Sequence, residues 1–435
     1  MSVYRDRKME NLFVFKYLLE LKKHDLEKRE IYNIQNHKIE ELMKCAYHIP
    51  IYRKKFEAVG AVPEDFHCRE DLVKFPVLTK SEIKEWITAE LKRNPEKYQN
   101  YHVYTTSGST GTPLKLCASP RENAYFAANW LRIAMENGVN PLLDQTMALK
   151  DPAIVAKGKD SILQKLGILR RHKVSFLAEG KVIAEEINRA RPDFLYAHRT
   201  KLMQTVEYAR HKHIKLRHPK AYASISETLT NQSIRFFRKY LGNRLFTSYG
   251  SMETGACTFT RIGNIRKHIV TNDTHVINIV DEKNQLANKG RMLITNLFLH
   301  EFPIINYDIE DGAEIIRKNG VEYLTNIQGR MNDWITLEDG RKYDYHPFYA
   351  ATENLEELLS FRVIQNNYHE VELELVADPA KEINKEFLEK EITEKLEKVI
   401  ADYDMKYHFI WKSEIEADST GKLRFIVNRM KEGSS

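Results

Sequence analysis

Cysteine is scarce and scattered, with only Cys45, Cys68, Cys117 and Cys257 among 435 residues. No CxxC pair or Cys/His spacing joins them. Neither a disulfide framework nor a structural zinc site is supported, and a reducing compartment, the cytosol, is expected. Long apolar runs are missing too. The most apolar N-terminal stretch, Leu12 to Leu21, is interrupted by Lys16 and Glu20, which makes it too short and too charged for a signal core or a membrane span. Blocks of one charge sign are absent: 67 basic residues are offset by 61 acidic ones, for a formal net charge of +6. That balance allows a mild preference for anionic ligands and argues against nucleic acid as a partner. The densest basic run, Arg210 to Lys220, carries His211, His213 and His218 without the interleaved aromatics of a single-strand binding surface, so it reads as a solvated face. No internal repeat or low-complexity region is visible. The 42% hydrophobic content suffices for a large core, with one big domain and a smaller one.

Punctuation and periodicity outline the elements. Residues Asp25 to Tyr47 place apolar side chains at helical spacing, and Pro50 to Phe56 leads through Pro63-Glu64-Asp65 to a further helical stretch. Thr79 supplies a cap before Ile83 to Leu91, and Ser119 caps a helix from Pro120 to about Glu136 that Gly138 ends. From Asp193 to Tyr249 the order is strand, helix over Lys201 to Arg210, strand, helix over Asn231 to Leu241, strand, which implies a largely parallel sheet with helices on its faces. His275 to Ile315 is strand-rich with polar turns and predicts an appended antiparallel sheet. Beyond residue 330, Val371 to Val376 and Tyr407 to Ile415 read as strands around a helix over Lys385 to Val399. The fold class expected is therefore α/β. Residues 1–330 would form a core of parallel and mixed sheets with flanking helices and an antiparallel subdomain, and 331–435 a small α+β domain.

The most informative stretch is Ser107-Gly108-Ser109-Thr110-Gly111-Thr112-Pro113-Leu114. Glycines let successive backbone N–H groups turn toward one anion, and the hydroxyls add donors around the same oxygens, as a polyphosphate cradle requires. Taken alone, the composition equally describes a solvated linker. No Gly-Lys-Ser/Thr closes the stretch, which excludes a P-loop NTPase. Open parallel sheets bind ligands at the carboxyl ends of their strands. Two loops there end in an acid: Ser224-Ile225-Ser226-Glu227-Thr228 and Tyr249-Gly250-Ser251-Met252-Glu253. Glu253 is a candidate magnesium ligand and Tyr249 a candidate support for a nucleobase, while each loop taken singly also reads as an ordinary turn. The second loop is not G-x-S-x-G, so a serine hydrolase is not supported.

Five motifs, in order, extend the pattern: Thr106 to Pro113, Tyr249 to Glu253, Tyr307-Asp308-Ile309-Glu310-Asp311, Gly329-Arg330-Met331-Asn332-Asp333 and Ser419-Thr420-Gly421-Lys422. Together they resemble the core motifs of adenylate-forming enzymes, the acyl-CoA synthetases and related adenylation domains. Leu42 to Arg53 and Phe75-Pro76-Val77-Leu78-Thr79-Lys80 are similar to the phenylacetate-CoA ligase branch, which includes CapK-like proteins. The resemblance implies ATP-dependent activation of a small carboxylic acid, aromatic or polar, to an acyl-adenylate with release of pyrophosphate. The acyl group then passes to a thiol, that of coenzyme A by family. A carrier protein, an amine or a hydroxyl is chemically accessible from the same intermediate, and a nucleotide-binding homologue without turnover is the non-enzymatic alternative.

In residue terms, the resemblance assigns the β- and γ-phosphates of ATP to Ser107, Gly108, Ser109, Thr110, Gly111 and Thr112, and Mg2+ to Glu253. Asp311 would take the ribose hydroxyls, with Arg330 reaching ribose and phosphate. Ser226, Glu227, Tyr249 and Gly250 would frame the adenine. Lys422 would bridge substrate carboxylate and α-phosphate, where negative charge concentrates in the transition state. Three positions depart from the family pattern. Met252 replaces a hydroxyl residue, Leu114 (with Lys115 next to it) replaces a lysine, and Asn332 occupies a hinge position that usually holds Asp or Lys. His198 and Arg199 are expected either to face the acyl pocket, favouring a polar or anionic acid, or to form a surface pair with neighbouring acids.

Overall fold

A computed structural model describes residues 9–105, 114–150, 152, 155, 164, 167–227, 229–328, 335–343, 346–352, 354–379, 381–415 and 425–432. They fall into two compact units, each made of two chain segments. The first comprises Met1–Asp144 with Phe246–Gly329, and the second Gln145–Leu245 with Arg330–Ser435.

The first unit opens with helices α1 (Glu10–Leu21), α2 (Ile31–Ala46), α3 (Pro50–Val59) and α4 (Lys80–Arg93). Helix α3 stops at Gly60, whose left-handed φ of 63° suits a residue without Cβ. Helix α4 starts at Thr79 as expected. The Thr79 hydroxyl accepts from the Glu82 N–H at 3.3 Å, and the Glu82 carboxylate accepts from the Thr79 N–H at 2.8 Å. An antiparallel hairpin follows, β1 (His102–Thr105) and β2 (Lys115–Ala118), with Thr105 opposite Lys115. Ser119 then caps α5 (Pro120–Glu136), which carries Pro at its favoured first position.

The second unit begins with β3 (Thr146–Lys150), β4 (Arg171–Ser175), α6 (Gly180–Ala190), β5 (Phe194–His198), α7 (Arg199–His211), β6 (Ala221–Ile225) and α8 (Asn231–Leu241). Strand β3 pairs in parallel with β4 and β5, and β5 with β6. Near-continuous burial of Phe194, Leu195, Ala197, Ala221, Tyr222 and Ala223 is what a sheet covered on both faces demands. The exposed residues of the basic run, Lys212, His213 and Arg217 among them, form a solvated face as anticipated.

At Phe246 the chain re-enters the first unit. There β7 (Leu245–Ser251), β8 (Gly255–Arg261), β9 (Asn264–Val270), β10 (His275–Val280), β11 (Lys289–Asn296), β12 (Tyr307–Lys318) and β13 (Val321–Gln328) pair antiparallel in the order β7-β8-β9-β13-β12-β11-β10.

The second unit is completed by the short pair β14 (Ile335–Thr336) and β15 (Lys342–Tyr343), then α9 (His346–Thr352), β16 (Leu358–Asn367), β17 (Glu370–Ala377), α10 (Lys385–Val399), β18 (Lys406–Lys412) and β19 (Ile426–Asn428). A sheet ordered β18-β17-β16-β19 carries α10, and Phe361, Val363, Leu373, Leu375, Leu388 and Ile392 close a core drawn from this segment alone. The expected mixed α/β class is thus present, with parallel and antiparallel sheets as read. The strand expected over Tyr407 to Ile415 ends sooner, at Lys412.

Candidate active site

Strands β7 and β8 form a hairpin whose tip is Met252-Glu253-Thr254, and two glycines make it possible. A Cβ on Gly250 would lie 1.9 Å from the Gly255 carbonyl oxygen; one on Gly255, whose φ is +73°, would lie 2.4 Å from the Phe126 ring. The Ser251 hydroxyl accepts from the N–H groups of Glu253 and Thr254, both at 3.2 Å. Beneath the tip, the Thr254 carbonyl accepts from His275 Nε2 at 2.8 Å and Asn296 Nδ2 at 2.9 Å. A carbonyl partner requires the proton on Nε2. Burial pushes the His275 imidazole down to about 4, so it is a fixed neutral donor. Glu253 is thereby held, only 8% exposed, while its neighbour Met252 is 49% exposed.

Strand β12 bends where its motif needs it. Glu310 adopts a left-handed φ of 66°, its N–H is taken by Asp308 Oδ1 at 2.9 Å, and the pairing register slips on both sides. That bulge presents Asp311 to Tyr249, whose hydroxyl donates to Asp311 Oδ2 at 2.5 Å. Burial, reinforced by the Asp311 charge, raises the Tyr249 phenol well above its ordinary range, so it stays a donor. Tyr307, opening the same strand, places its hydroxyl 3.5 Å from Glu253 Oε1. The segment Phe75 to Leu78 braces this start: the Leu78 N–H donates to the Asn306 carbonyl at 3.1 Å, and the Asp308 N–H to the Leu78 carbonyl at 3.0 Å.

Glu253 also lines a mostly apolar recess with Tyr104, Leu116, Cys117, Phe126 and Met252. Tyr104 and Leu116 belong to β1 and β2, the paired strands that the Ser/Gly-rich stretch connects along the chain. Burial pushes the Cys117 thiol up to about 12, making it an inert wall. Leu114 is buried at the start of β2 while Lys115 points to solvent, so the first packs into the core where the family pattern has a lysine.

In the second unit, Ser226 has a left-handed φ of 65° and Glu227 is buried. Glu227 Oε2 accepts from the Thr200 N–H at 2.8 Å and the Thr200 hydroxyl at 3.0 Å, which satisfies donors in the first turn of α7. It also lies 3.5 Å from Arg199 Nε. The idea of Arg199 as a surface residue is corrected here: its side chain is 3% exposed, with its guanidinium carbon 5.1 Å from the centre of the Phe425 ring. His198 is half-buried against Phe176, ring centres 5.9 Å apart.

Of the residues expected in the site, Tyr249, Gly250, Glu253 and Asp311 gather in the first unit, and Ser226 and Glu227 form one turn in the second. Ser107, Gly108, Ser109, Thr110, Gly111, Thr112, Arg330, Asn332 and Lys422 lie outside the described residues. Sequence reasoning missed Ser251, His275, Asn296 and Tyr307 as supports. For His275 the available signal was the polar run Thr271-Asn272-Asp273-Thr274-His275 that leads into the apolar stretch Val276 to Val280, all of it buried. Among the described residues no three His, Cys, Asp or Glu side chains cluster as metal ligands, and no helix is long and apolar enough to cross a membrane.

Comparison with known proteins bears on the fold. Residues 338–429 match the CapK C-terminal domain. Phenylacetate-coenzyme A ligase of Escherichia coli (strain K12) is 34% identical over 85 residues, 19% of this chain and 19% of that protein. The Pseudomonas putida enzyme of the same name is 32% identical over 92 residues, 20% of this chain and 21% of that protein. The alignments therefore span about a fifth of the length of these curated relatives. Among solved structures, 2-hydroxyisobutyryl-CoA ligase in the postadenylation state in complex with 2-HIB-AMP gives a TM-score of 0.72 at 17% identity, covering 92% of each chain. Anthranilate CoA ligase AuaEII in complex with anthranoyl-AMP gives 0.54 at 16% identity, covering 78% of this chain and 67% of that one. The fold is that of the adenylate-forming CoA ligases. Within that class, the resemblance to the phenylacetate-CoA ligase and CapK-like branch read from the motifs is borne out.

Proposed function

We propose that this chain is an AMP-forming ligase that activates a small carboxylic acid with ATP and passes the acyl group to coenzyme A. The observation that carries this reading is the meeting of separate motifs in one place. Tyr249 and Asp311, 62 residues apart in sequence, share a 2.5 Å hydrogen bond, and Glu253 projects from the hairpin that carries Tyr249. Asp311 offers the ribose hydroxyls a carboxylate that Tyr249 holds in orientation. Tyr249 and Gly250 support the adenine; in the second unit, Glu227 keeps its carboxylate for α7. Ser107 to Thr112 supply phosphate donors, and Arg330 adds a cation at ribose and phosphate.

Glu253 suits magnesium. The ion takes hard oxygen ligands and usually draws one or two carboxylates from the protein, with phosphates and water for the rest, so a lone, nearly buried carboxylate beside a tyrosine hydroxyl fits. When bound, the ion neutralises charge on the leaving phosphates. The substrate carboxylate oxygen bonds to the α-phosphorus as the bond to pyrophosphate breaks, and the Lys422 ammonium stabilises the charge that gathers there. Residues 331–435 then act as a domain turning about Asn332 to admit the thiol; a hydrophobic core of their own supports that role.

Pyrophosphate exchange over a panel of aromatic, hydroxy and amino acids, followed by mass spectrometry with coenzyme A present, tests the proposal. Exchange with at least one acid is expected, falling about 10²–10³-fold in Lys422→Ala. Nucleotide binding without exchange for any acid would sink the ligase reading in favour of a binding homologue. Exchange without a CoA adduct would move the acceptor to a carrier thiol, an amine or a hydroxyl.

A further inference from the structure

We infer that the outer face of helix α1 docks on an anionic lipid surface, with the helix lying in the headgroup layer. The inference goes beyond the ligase reading and does not depend on it. Helix α1 spends one face on the core of the first unit. Val14, Tyr17, Leu18 and Leu21 recur at helical spacing and pack inward, with the Tyr17 ring 4.9 Å from that of Tyr125 on α5. The opposite face is not the polar one that the solvent side of a surface helix ordinarily carries. Leu12 and Leu19, seven residues apart, are 61% and 66% exposed, Phe15 between them is half-buried, and Met9 at the N-cap is exposed. A helix that is apolar on both sides has a second face to cover.

Charge selects the occupant. Lys16 lies between the two leucines on the exposed side, and Lys22 and Lys23 follow at the C-terminal end of the helix, all three exposed. Arg121 of α5 adds a cation at the edge, its guanidinium carbon 5.1 Å from the centre of the Phe13 ring. The acids of the helix are turned to other partners. Glu10 meets His102 Nε2 at 3.0 Å and accepts from Asn123 Nδ2, and Glu20 acts electrostatically on Lys38 and Tyr125. Asp25, just beyond the helix, pairs with Lys28 at 3.5 Å. A second copy set against this face by a two-fold axis would bring its cations together uncompensated. An anionic bilayer satisfies both features at once: leucine and phenylalanine side chains enter the acyl boundary, while lysine stems run beside them and place ammonium groups among the lipid phosphates. At 12 residues α1 is too short to span a bilayer, so it lies on the surface.

Co-sedimentation of the full chain with vesicles of phosphatidylcholine, alone or mixed equally with phosphatidylserine, tests the dock. Binding to the mixed vesicles is expected, with far less to phosphatidylcholine alone. Replacing Lys16, Lys22 and Lys23 together by Gln should weaken binding roughly a hundredfold, at about fivefold for each cation taken from the charged surface. The double variant Leu12→Gln/Leu19→Gln keeps every charge and should still lose roughly tenfold or more, because its apolar contact with the acyl boundary is gone. Its urea midpoint should stay native, since both side chains are exposed in the folded chain. No binding to the mixed vesicles would overturn the dock. So would binding that the leucine variant leaves intact, which charge alone would then explain. Sedimentation equilibrium without lipid reads the competing occupant: a native monomer supports the lipid dock, whereas a dimer that Leu12→Gln/Leu19→Gln returns to monomer would give the face to a second copy and overturn it.

Discussion

At the scale of single residues, the hydroxyl of Tyr249 has the most to say. It donates to Asp311, and desolvation together with that charge keeps it protonated. Tyr249→Phe leaves the ring in place and deprives a part-buried carboxylate of a donor, so it should cost about 1–3 kcal/mol of stability. It should also raise the KM for ATP more than it lowers kcat, since Asp311 is assigned to binding. Urea unfolding and exchange kinetics check both, and unchanged stability would show that the bond contributes nothing. Tyr249, Glu253 and Asp311 were legible in sequence because short motifs name them. Tyr307 was legible only as a motif member and Arg199 only as a candidate pocket or surface residue, and His275 not at all, because the partner of each stands far along the chain: Glu253, Phe425 and the Thr254 carbonyl. Local spacing carries no record of such pairs.

At the scale of elements, local chemistry read well wherever the cap lay beside its helix, and poorly where it lay elsewhere. Thr79 and Ser119 were visible as caps of α4 and α5 because the glutamate that answers each stands three residues on. Helix α7 starts at Arg199 instead of near Lys201 because Glu227, from the turn after β6, satisfies its first donors. Nothing near residue 199 announces that. Helix α5 combines both cases. Glu122 Oε2 accepts from the Ser119 N–H and hydroxyl at 2.8 Å each, while its Oε1 accepts from the N–H groups of His300 and Glu301 at 2.8 and 3.0 Å. Burial pushes its carboxyl up and these donors oppose the rise. Glu122→Ala removes a cap and takes an acceptor from the N–H groups of His300 and Glu301, at about 1–2 kcal/mol, whereas Glu122→Gln should cost less because its amide oxygen still accepts. Urea midpoints of the two variants give the comparison; equal losses would mean the charge, not the acceptor geometry, matters.

At the scale of the whole molecule, the chain leaves the first unit after Asp144 and returns at Phe246. That interleaving was illegible, because Leu245-Phe246 reads as an ordinary strand start and the stretch around Asp144 carries no boundary signal. A second global property follows from two imidazoles of the first unit, His275 buried and His268 half-buried. His268, beside the Thr258 hydroxyl at 2.9 Å, and His275 are both pushed down by burial from an ordinary 6.5 to about 4. Above pH 6.5 both are neutral, folded or unfolded, and titration of neither affects stability. Between pH 6.5 and 4 the unfolded chain binds a proton at each that the folded chain refuses, so stability falls as pH falls, by up to about 3 kcal/mol per histidine. Asp273 does not confuse this window. Burial would raise its carboxyl, but Arg132 outweighs that together with His24 and Lys38 and holds it far below the ordinary range, so its loss comes at much lower pH. Glu207, whose carboxyl burial raises to about 7, opposes this decline between pH 7 and 4.5, so chemical unfolding at a series of pH values reads the histidine contribution as the difference between the native protein and its histidine variants. His275→Gln should remove about half of it and His268→Gln the other half, and an equally steep decline in the double variant would assign the acid sensitivity to other groups.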